Sequence, residues 1–241
     1  MAGNAKAIIH LNDNRGHLEN EWMRSLVTFN FGNYKTENRE PFGSLQVFNE
    51  DTLAAGKSIN MLVEENTEVL IVPLTGTIFF KDHTGNETYI NPGQVQLFAA
   101  VKQSSYQIIN PYENEELVNF LQVWLYKSET VFIPKMQLFN FDLSQKNQLH
   151  TVITASDLNQ QAYTFIGKYD GRQKGIYSLQ NKNNGIYCFV IEGAFEIQDR
   201  LLHAKDGLAI WDTDEIDFEA LSNGAIVLLF EIPLYCNKFA V

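Results

Sequence analysis

The sequence predicts an all-β fold made of two tandem β barrels. Short segments that are either wholly apolar or alternately apolar and polar recur along almost the whole chain, and both patterns are typical of strands. Turn residues separate these segments at fairly even spacing, which is typical of a sandwich or a barrel. The second half of the chain repeats the order of strands and turns found in the first half, so two related barrels are expected.

The clearest elements of the first half predict a hairpin. An apolar run covers Val69 to Leu74, Gly76 follows it, and Ile78 to Phe80 is the next apolar segment. A loop that contains Gly and Asn, from Asp82 to Asn86, then turns the chain back as a hairpin loop does. Further strands are predicted over Glu87 to Ile90, Val95 to Ala100, Tyr106 to Asn110 and Leu117 to Tyr126.

The second half contains the same series. Ile186 to Ile191 is an apolar run, Gly193 follows it, and Ala194 to Gln198 alternates between apolar and polar residues as a half-exposed strand does. Further strands are predicted over Gly207 to Trp211, Ile216 to Ala220 and Ala225 to Glu231.

A polar stretch from Asn140 to Asn147 predicts the division between the two barrels. The N-terminal domain is therefore expected to cover residues 1–140, including an N-terminal extension, and the C-terminal domain residues 141–241. The sequence shows little evidence for helices, and only Ser156 to Gln161 could form a short helical turn.

Composition restricts the partners that are expected. The formal net charge is −11, from 18 basic and 29 acidic side chains, and no basic cluster offsets it. This sign opposes direct binding to nucleic acid or to an anionic membrane. A small organic ligand or a protein partner is expected instead.

The sequence also predicts a cytoplasmic protein. The N-terminal residues lack the apolar core of a signal peptide, and no apolar run approaches the roughly 18 residues that span a bilayer. The two cysteines, Cys188 and Cys236, are interpreted as reduced buried thiols, although their spacing leaves a disulfide open.

An ordered set of motifs resembles the pirin family, the bicupins that include quercetin-dioxygenase-like bacterial proteins. The resemblance covers nearly the whole chain. Its motifs are Arg15-Gly16-His17, Phe29-Asn30-Phe31-Gly32-Asn33-Tyr34, Phe42-Gly43-Ser44-Leu45-Gln46-Val47-Phe48-Asn49-Glu50-Asp51, Leu74-Thr75-Gly76, Asn91-Pro92-Gly93-Gln94, Leu121-Gln122-Val123-Trp124, Ala204-Lys205-Asp206-Gly207 and Leu228-Leu229-Phe230-Glu231.

This resemblance implies two jelly-roll-like cupin barrels and a site inside the first one. There, family members hold a divalent metal, usually iron, through three histidines and a glutamate. A His-Pro-His motif supplies two histidines, and a His-x-Glu motif on a later strand supplies the other two ligands. In each motif a spacing of two places both side chains on one face of a strand.

The present sequence departs from the family at those motifs. The flanking residues place Leu62-Val63-Glu64 at the His-Pro-His motif and Tyr106-Gln107-Ile108 at the His-x-Glu motif. The four ligand positions are therefore Leu62, Glu64, Tyr106 and Ile108, of which two are aliphatic. We expect neither a metal nor another cofactor in this barrel.

The favoured hypothesis is thus a metal-free member of the family that is not a catalyst and that binds a small ligand or acts as a regulatory or scaffold protein. Two alternatives stay open: a quercetinase-like dioxygenase, and a metal-free enzyme that uses Glu64 and Tyr106. No catalytic residue is assigned, although Glu64 and Glu68 could form an acid/base pair if both face inward; a salt bridge or exposure at a strand end is the favoured alternative. The residues expected to line the first-barrel cavity are Met61, Leu62, Glu64, Glu68, Tyr106 and Ile108.

Overall fold

A computed structural model describes residues 5–127 and 131–234 of the chain. These residues form strands almost throughout, with one 3-10 turn at Asn12–Asn14. The strands are β1 (Lys6–His10), β2 (Gly16–Glu19), β3 (Met23–Val27), β4 (Leu45–Leu53), β5 (Ser58–Leu62), β6 (Thr67–Thr75), β7 (Ile78–Asp82), β8 (Glu87–Ile90), β9 (Gln94–Ala100), β10 (Ser105–Ile109), β11 (Val118–Tyr126), β12 (Lys135–Asn140), β13 (Gln148–Ile153), β14 (Tyr163–Tyr169), β15 (Lys174–Ser178), β16 (Asn184–Glu192), β17 (Ala194–Ile197), β18 (Arg200–His203), β19 (Gly207–Trp211), β20 (Glu215–Ala220) and β21 (Ala225–Pro233).

The first barrel consists of two antiparallel sheets. One sheet has seven strands in the order β12-β9-β6-β11-β4-β3-β2, and the other has four in the order β5-β10-β7-β8. Both sheets contribute side chains to one apolar core. Along β6, Val69 and Ile71 point into this core, because every second side chain of a strand lies on the same face.

The second barrel repeats this arrangement. Its larger sheet has the order β1-β19-β16-β21-β14-β13, and its smaller sheet has the order β15-β20-β17-β18. Cys188 on β16 lies in the core between them, where burial raises the pKa of its thiol. Cys236 lies outside the described residues. The all-β prediction and the prediction of two tandem jelly-roll-like barrels are confirmed.

Two glycines mark the internal repeat. Gly76 joins β6 to β7 with φ +75°, and Gly193 joins β16 to β17 with φ +79°. A residue with a Cβ rarely adopts such a backbone, so each tight turn calls for glycine. In each barrel this turn leads from the larger sheet to the smaller one, so the repeat that the sequence indicated has a structural basis in these equivalent connections.

The N-terminal segment corrects the expected domain limits. The chain divides between Phe141 and Asp142, but residues 5–15 belong with the second barrel, not with the first. The reason is that β1 pairs with β19, from Lys6 opposite Trp211 to His10 opposite Gly207. β1 thus takes the edge position beside β19 that β12 takes beside β9 in the first barrel.

The helical turn considered at Ser156 to Gln161 does not form; this segment is a turn with bends. The side chain of Asp157 accepts hydrogen bonds from the backbone N–H and the hydroxyl of Thr154, and the Asp157 N–H donates to the Thr154 carbonyl, which closes a single turn. In the part of the chain that the structure describes, no helix has the length and apolar character needed to cross a membrane.

Candidate functional site

The pairing of β5 with β10 divides the expected site residues between two faces. Met61 lies opposite Tyr106, and Leu62 lies opposite Ser105. Tyr106 and Ile108 both point into the first-barrel core, where their exposed fractions are 2% and 0%. Leu62 points away from the core and is 59% exposed. The four positions implied by the family motifs therefore do not converge on one interior cavity.

Side chains occupy the barrel interior around Tyr106. Its ring stacks on Phe80 with a centroid distance of 5.4 Å and an interplanar angle of 22°. Phe98 meets the same ring edge-on at 5.9 Å, and Ile108 belongs to the same apolar core. Such aromatic pairs stabilise a core beyond the area that they bury. Packed rings thus surround Tyr106, which the resemblance implies as the counterpart of the third family histidine.

A buried polar chain, here called the Tyr106 network, crosses this interior. The indole Nε1 of Trp124 donates to the Tyr106 oxygen at 2.9 Å, and the Tyr106 hydroxyl donates to Gln122 Oε1 at 2.7 Å. The Gln122 amide in turn donates to Asp51 Oδ2. Gln122 and Trp124 face inward because they continue the alternation of Val118 and Phe120 along β11. On the neighbouring strand β4, Asp51 lies on the same face as the core residues Val47 and Leu53.

The environment keeps the Tyr106 phenol protonated. Burial raises the pKa of Tyr106 well above its ordinary value, because an ionised oxygen would lose its hydration. The hydrogen bond from Trp124 lowers this pKa, and the charge of Asp51 raises it further. Tyr106 is therefore a neutral hydrogen-bonding group in the interior and not an anionic oxygen ligand.

A groove opens beside the free edge of β5, and we call it the side groove. Its volume is about 710 Å³. It contains three of the residues expected from sequence, namely Met61, Leu62 and Glu64. The structure adds Phe31, Val47 and Trp124, and Trp124 joins the groove to the Tyr106 network. The groove lining does not include Glu68, Tyr106 or Ile108.

The acid/base pair that Glu64 and Glu68 could form if both faced inward is not present, and Glu64 instead shows the exposure at a strand end that was the favoured alternative. β5 ends at Leu62 and β6 begins at Thr67, so the chain between them is not a regular strand and the even spacing has no meaning there. Glu64 is exposed in the side groove. Glu68 is fully buried and lies on the face of β6 opposite to that of Val69, which points into the core. These two carboxylates do not form an acid/base pair.

The residues that the resemblance implies for the metal positions do not fit a three-histidine, one-glutamate site. Leu62 and Ile108 carry no donor atom, and the Tyr106 oxygen is already held by Trp124 and Gln122. Glu64 alone remains as an oxygen donor. Within residues 5–127 and 131–234, no group of three His, Cys, Asp or Glu side chains could hold a metal ion.

The second barrel contains a buried carboxylate, Glu231, whose hydrogen bonds hold a loop in place. Glu231 on β21 is 0% exposed, and its Oε2 accepts the Tyr177 hydroxyl at 2.5 Å and the backbone N–H of Gln180 at 2.8 Å. Its Oε1 accepts the backbone N–H of Asn181 at 2.9 Å and the Asn184 amide at 2.8 Å. Glu231 therefore anchors the loop between β15 and β16.

The sequence reasoning did not assign Asp51, Gln122 or Trp124 to a site, although all three lie in family-like motifs. A signal was present in β11, where Gln122 interrupts the inward series of Val118, Phe120 and Trp124. A polar residue at an inward position of a core strand needs a buried partner, and here the partners are Tyr106 and Asp51.

Comparisons with known proteins agree with this architecture. The sequence model of the family described as Pirin matches residues 9–125, and that described as Quercetinase C-terminal cupin domain matches residues 138–232. Quercetin 2,3-dioxygenase of Escherichia coli strain K12 is 28% identical over 223 residues, which cover 91% of this chain and 95% of the relative. The Pirin-like protein YhaK of Escherichia coli O157:H7 is 27% identical, over 91% of this chain and 96% of that protein.

Solved structures show the same fold. YhhW from Escherichia coli superposes with a TM-score of 0.86 at 24% identity, over 95% of this chain and 99% of that one. A second structure, of bacterial pirin YhhW in complex with nickel(II), gives a TM-score of 0.85 at 23% identity, over 95% and 100% of the two chains. With two cupin barrels and family matches along both of them, the chain belongs to the pirin-like bicupin family.

Proposed function

We propose that this protein binds a small organic molecule in the side groove and does so without a transition metal. One observation carries the proposal: Met61, Leu62 and Glu64 line an open groove, while Tyr106 and Ile108 lie in a packed core. The side chains that would have to meet around a metal are thus separated, and those on the open side form a binding surface instead.

The chemistry of the ligand positions supports metal-independent function. Redox metals in such sites are held by imidazole and carboxylate groups. Here Leu62 and Ile108 offer only carbon, and burial keeps Tyr106 protonated. The structure of the relative YhhW includes nickel(II), and another relative is named for quercetin dioxygenation. For this chain we propose neither metal binding nor dioxygenase activity.

The size and lining of the groove suit a small ligand. Ligand sites typically measure about 300–1,000 Å³ and combine apolar walls with a few polar groups. The side groove, at about 710 Å³, lies within that range. Phe31, Met61 and Trp124 supply apolar and aromatic surface, and Glu64 supplies a charged group. An organic molecule with an aromatic ring matches this combination.

The remaining alternatives have less support. A metal-free enzyme that uses Glu64 and Tyr106 would need both groups at one substrate, but Tyr106 is buried and outside the groove lining. A regulatory or scaffold role that depends on a protein partner stays a prediction, as does a cytoplasmic location. Ligand binding in the groove is compatible with either.

Metal loading tests the first half of the proposal. The purified protein is incubated with Ni²⁺ or Fe²⁺, separated from free metal by gel filtration and subjected to elemental analysis, with Escherichia coli YhhW treated in parallel. We expect far less than one ion per chain, and no oxygen consumption with quercetin. One retained ion per chain, or sustained oxygen uptake, would contradict metal-independent function.

A ligand screen tests the second half. Thermal denaturation is followed with a panel of small aromatic molecules that differ in charge, and each hit is repeated with the Met61→Ala variant. The matched control is Met136→Ala, which removes a methionine that packs on the same core but lies outside the groove lining. We expect Met61→Ala to weaken the binding of the hits and Met136→Ala to leave it intact. A panel without hits, or equal losses in both variants, would refute binding in the groove.

A further inference from the structure

We propose that the side groove selects organic cations, that is, ligands that join an aromatic or other apolar body to an ammonium group. This inference rests on the proposed ligand-binding function and adds the chemical class of the ligand. It comes from three features of the groove: aromatic walls, an excess of carboxylates, and one carboxylate without a hydrogen-bond or ion-pair partner among the described residues.

The apolar part of the ligand would contact an aromatic corner. Phe31 and Trp124 meet edge to face, with a centroid distance of 5.5 Å and an interplanar angle of 76°. Met61 and Leu62, which also line the groove, extend this apolar surface along β5. Leu62 is 59% exposed, so a ligand that covers it would remove apolar area from water. The corner therefore favours a flat apolar body.

The charged groups around this corner are mainly negative. Among the residues that the structure describes, the groove is lined by three glutamates, Glu40, Glu64 and Glu65, and by one lysine, Lys35. Glu65 is partly neutralised by Lys102, whose Nζ lies 3.5 Å from its Oε2. Glu40 accepts a hydrogen bond from the Asn30 amide at 3.2 Å, which leaves its charge in place. The groove thus keeps more negative than positive charge.

Glu64 is the carboxylate most available to a ligand. It is exposed in the groove, and among the residues that the structure describes its side chain has neither a hydrogen bond nor an ion pair. It also follows Leu62 by two residues, so a ligand that covers Leu62 comes close to this charge. An ammonium group there would gain an ionic partner without displacing a protein group.

The aromatic rings add to the same preference. Trp124 is only 8% exposed, so we expect the half-buried Phe31 to be the ring that a ligand cation can reach, where the ring's quadrupole attracts it. The chain's net charge of −11 favours the approach of cations as well and disfavours anions. Apolar walls next to the Glu64 carboxylate are therefore complementary to an organic cation, whereas a ligand carboxylate would be repelled.

Three indoles that differ mainly in charge test this proposal: tryptamine, 3-ethylindole and indole-3-acetate. They carry a positive charge, no charge and a negative charge on similar bodies. We expect calorimetric titration at low salt to show tryptamine binding about five- to tenfold more tightly than 3-ethylindole, with indole-3-acetate weakest. Added salt should reduce these differences, because it screens exposed charges.

A pair of variants locates the effect. Glu64→Gln should lower the affinity for tryptamine by about threefold and leave that for 3-ethylindole unchanged. Glu115→Gln makes the same change in net charge at an exposed residue outside the groove lining, and it should change neither affinity.

The outcomes distinguish a failure of the preference for cations from a failure of ligand binding in the groove. Equal binding of the three indoles would overturn the preference for cations but leave the groove as a ligand site. Equal effects of Glu64→Gln and Glu115→Gln would also overturn it, because the selectivity would then reflect net charge and not the groove. If tryptamine does not bind, the preference fails, while the wider ligand panel still decides whether the groove binds other molecules.

Discussion

The indole N–H of Trp124 donates a hydrogen bond to the Tyr106 oxygen at 2.9 Å, and this contact joins the side groove to the interior of the first barrel. Trp124 is among the residues that line the groove and is 8% exposed, while Tyr106 is 2% exposed and passes the connection on to Gln122 and Asp51. A change in the buried network is therefore expected to affect the wall on which we propose the ligand rests.

Removal of the Tyr106 hydroxyl should destabilise the protein. In Tyr106→Phe, the Trp124 N–H and the Gln122 oxygen lose a buried partner, which costs about 2–3 kcal/mol of unfolding free energy. Urea denaturation measures this loss. Tyr89→Phe is the control, because Tyr89 is 57% exposed and its change should stay within about 0.5 kcal/mol. Similar stabilities of the two variants would argue against a buried hydrogen-bonded phenol.

The hydrogen bond between Trp124 and Tyr106 should appear as an energetic coupling. A double-mutant cycle of Trp124→Phe and Tyr106→Phe should give an interaction energy of about 1 kcal/mol, because the two groups are in direct contact. The same cycle of Trp124→Phe with Tyr89→Phe should be additive within about 0.5 kcal/mol. An additive Trp124 and Tyr106 pair would show that the contact does not form in solution.

Truncation of the two aliphatic residues that the resemblance implies for metal positions should affect different properties, namely stability for Ile108 and ligand binding for Leu62. Ile108→Ala removes a fully buried side chain and should cost about 2–5 kcal/mol in denaturant unfolding. Leu62→Ala removes an exposed one, so stability should change by less than about 0.5 kcal/mol while groove ligands bind more weakly. A large stability loss for Leu62→Ala would place that residue inside the barrel, contrary to the structure.

The loop between β15 and β16 should depend on Glu231. In Glu231→Gln one acceptor oxygen becomes an N–H₂ donor, so the hydrogen bonds to that oxygen are lost at a cost of about 3 kcal/mol. Hydrogen exchange at the amides of Gln180 and Asn181 should accelerate with the fall in stability. Glu192→Gln, a change at an exposed residue of β16, should leave both amides protected. Unchanged exchange in Glu231→Gln would contradict the anchor.

Asp82 should make the stability of the first barrel depend on acidic pH. Burial acts to raise the pKa of Asp82, but hydrogen bonds from Asn86 and Thr84 lower it below its ordinary value of about 3.9. Because the folded pKa is the lower one, its contribution to stability is present above about pH 4 and is lost as the pH falls through the folded pKa.

Asp82→Asn should therefore lower the unfolding free energy by about 2 kcal/mol at neutral pH, and the difference from the natural chain should shrink in more acidic solution. Denaturant unfolding between about pH 7 and pH 2 measures it. Asp13→Asn, at an exposed position, serves as the control for charge removal. A difference that stays constant across this range would mean that the Asp82 carboxylate does not hold the turn.

Local patterns in the sequence were sufficient to predict the strands. Apolar runs and turns indicated β6, β7 and β8 and their counterparts in the second half, because these signals depend on residues next to each other in the chain. The assignment of Leu62, Glu64, Tyr106 and Ile108 to the family's ligand positions stays a prediction from the resemblance. Their spacing of two correctly put Tyr106 and Ile108 on one face of β10.

The orientation of residues outside regular strands could not be read in that way. Glu64 and Glu68 are an even number apart, yet β5 ends and β6 begins between them, so alternation does not carry across. The pairing of β1 with β19 and the chain from Trp124 to Asp51 join residues that are far apart in sequence. Such contacts depend on strand register and long-range closure, and these arise from the packing of the whole barrel and not from any local segment.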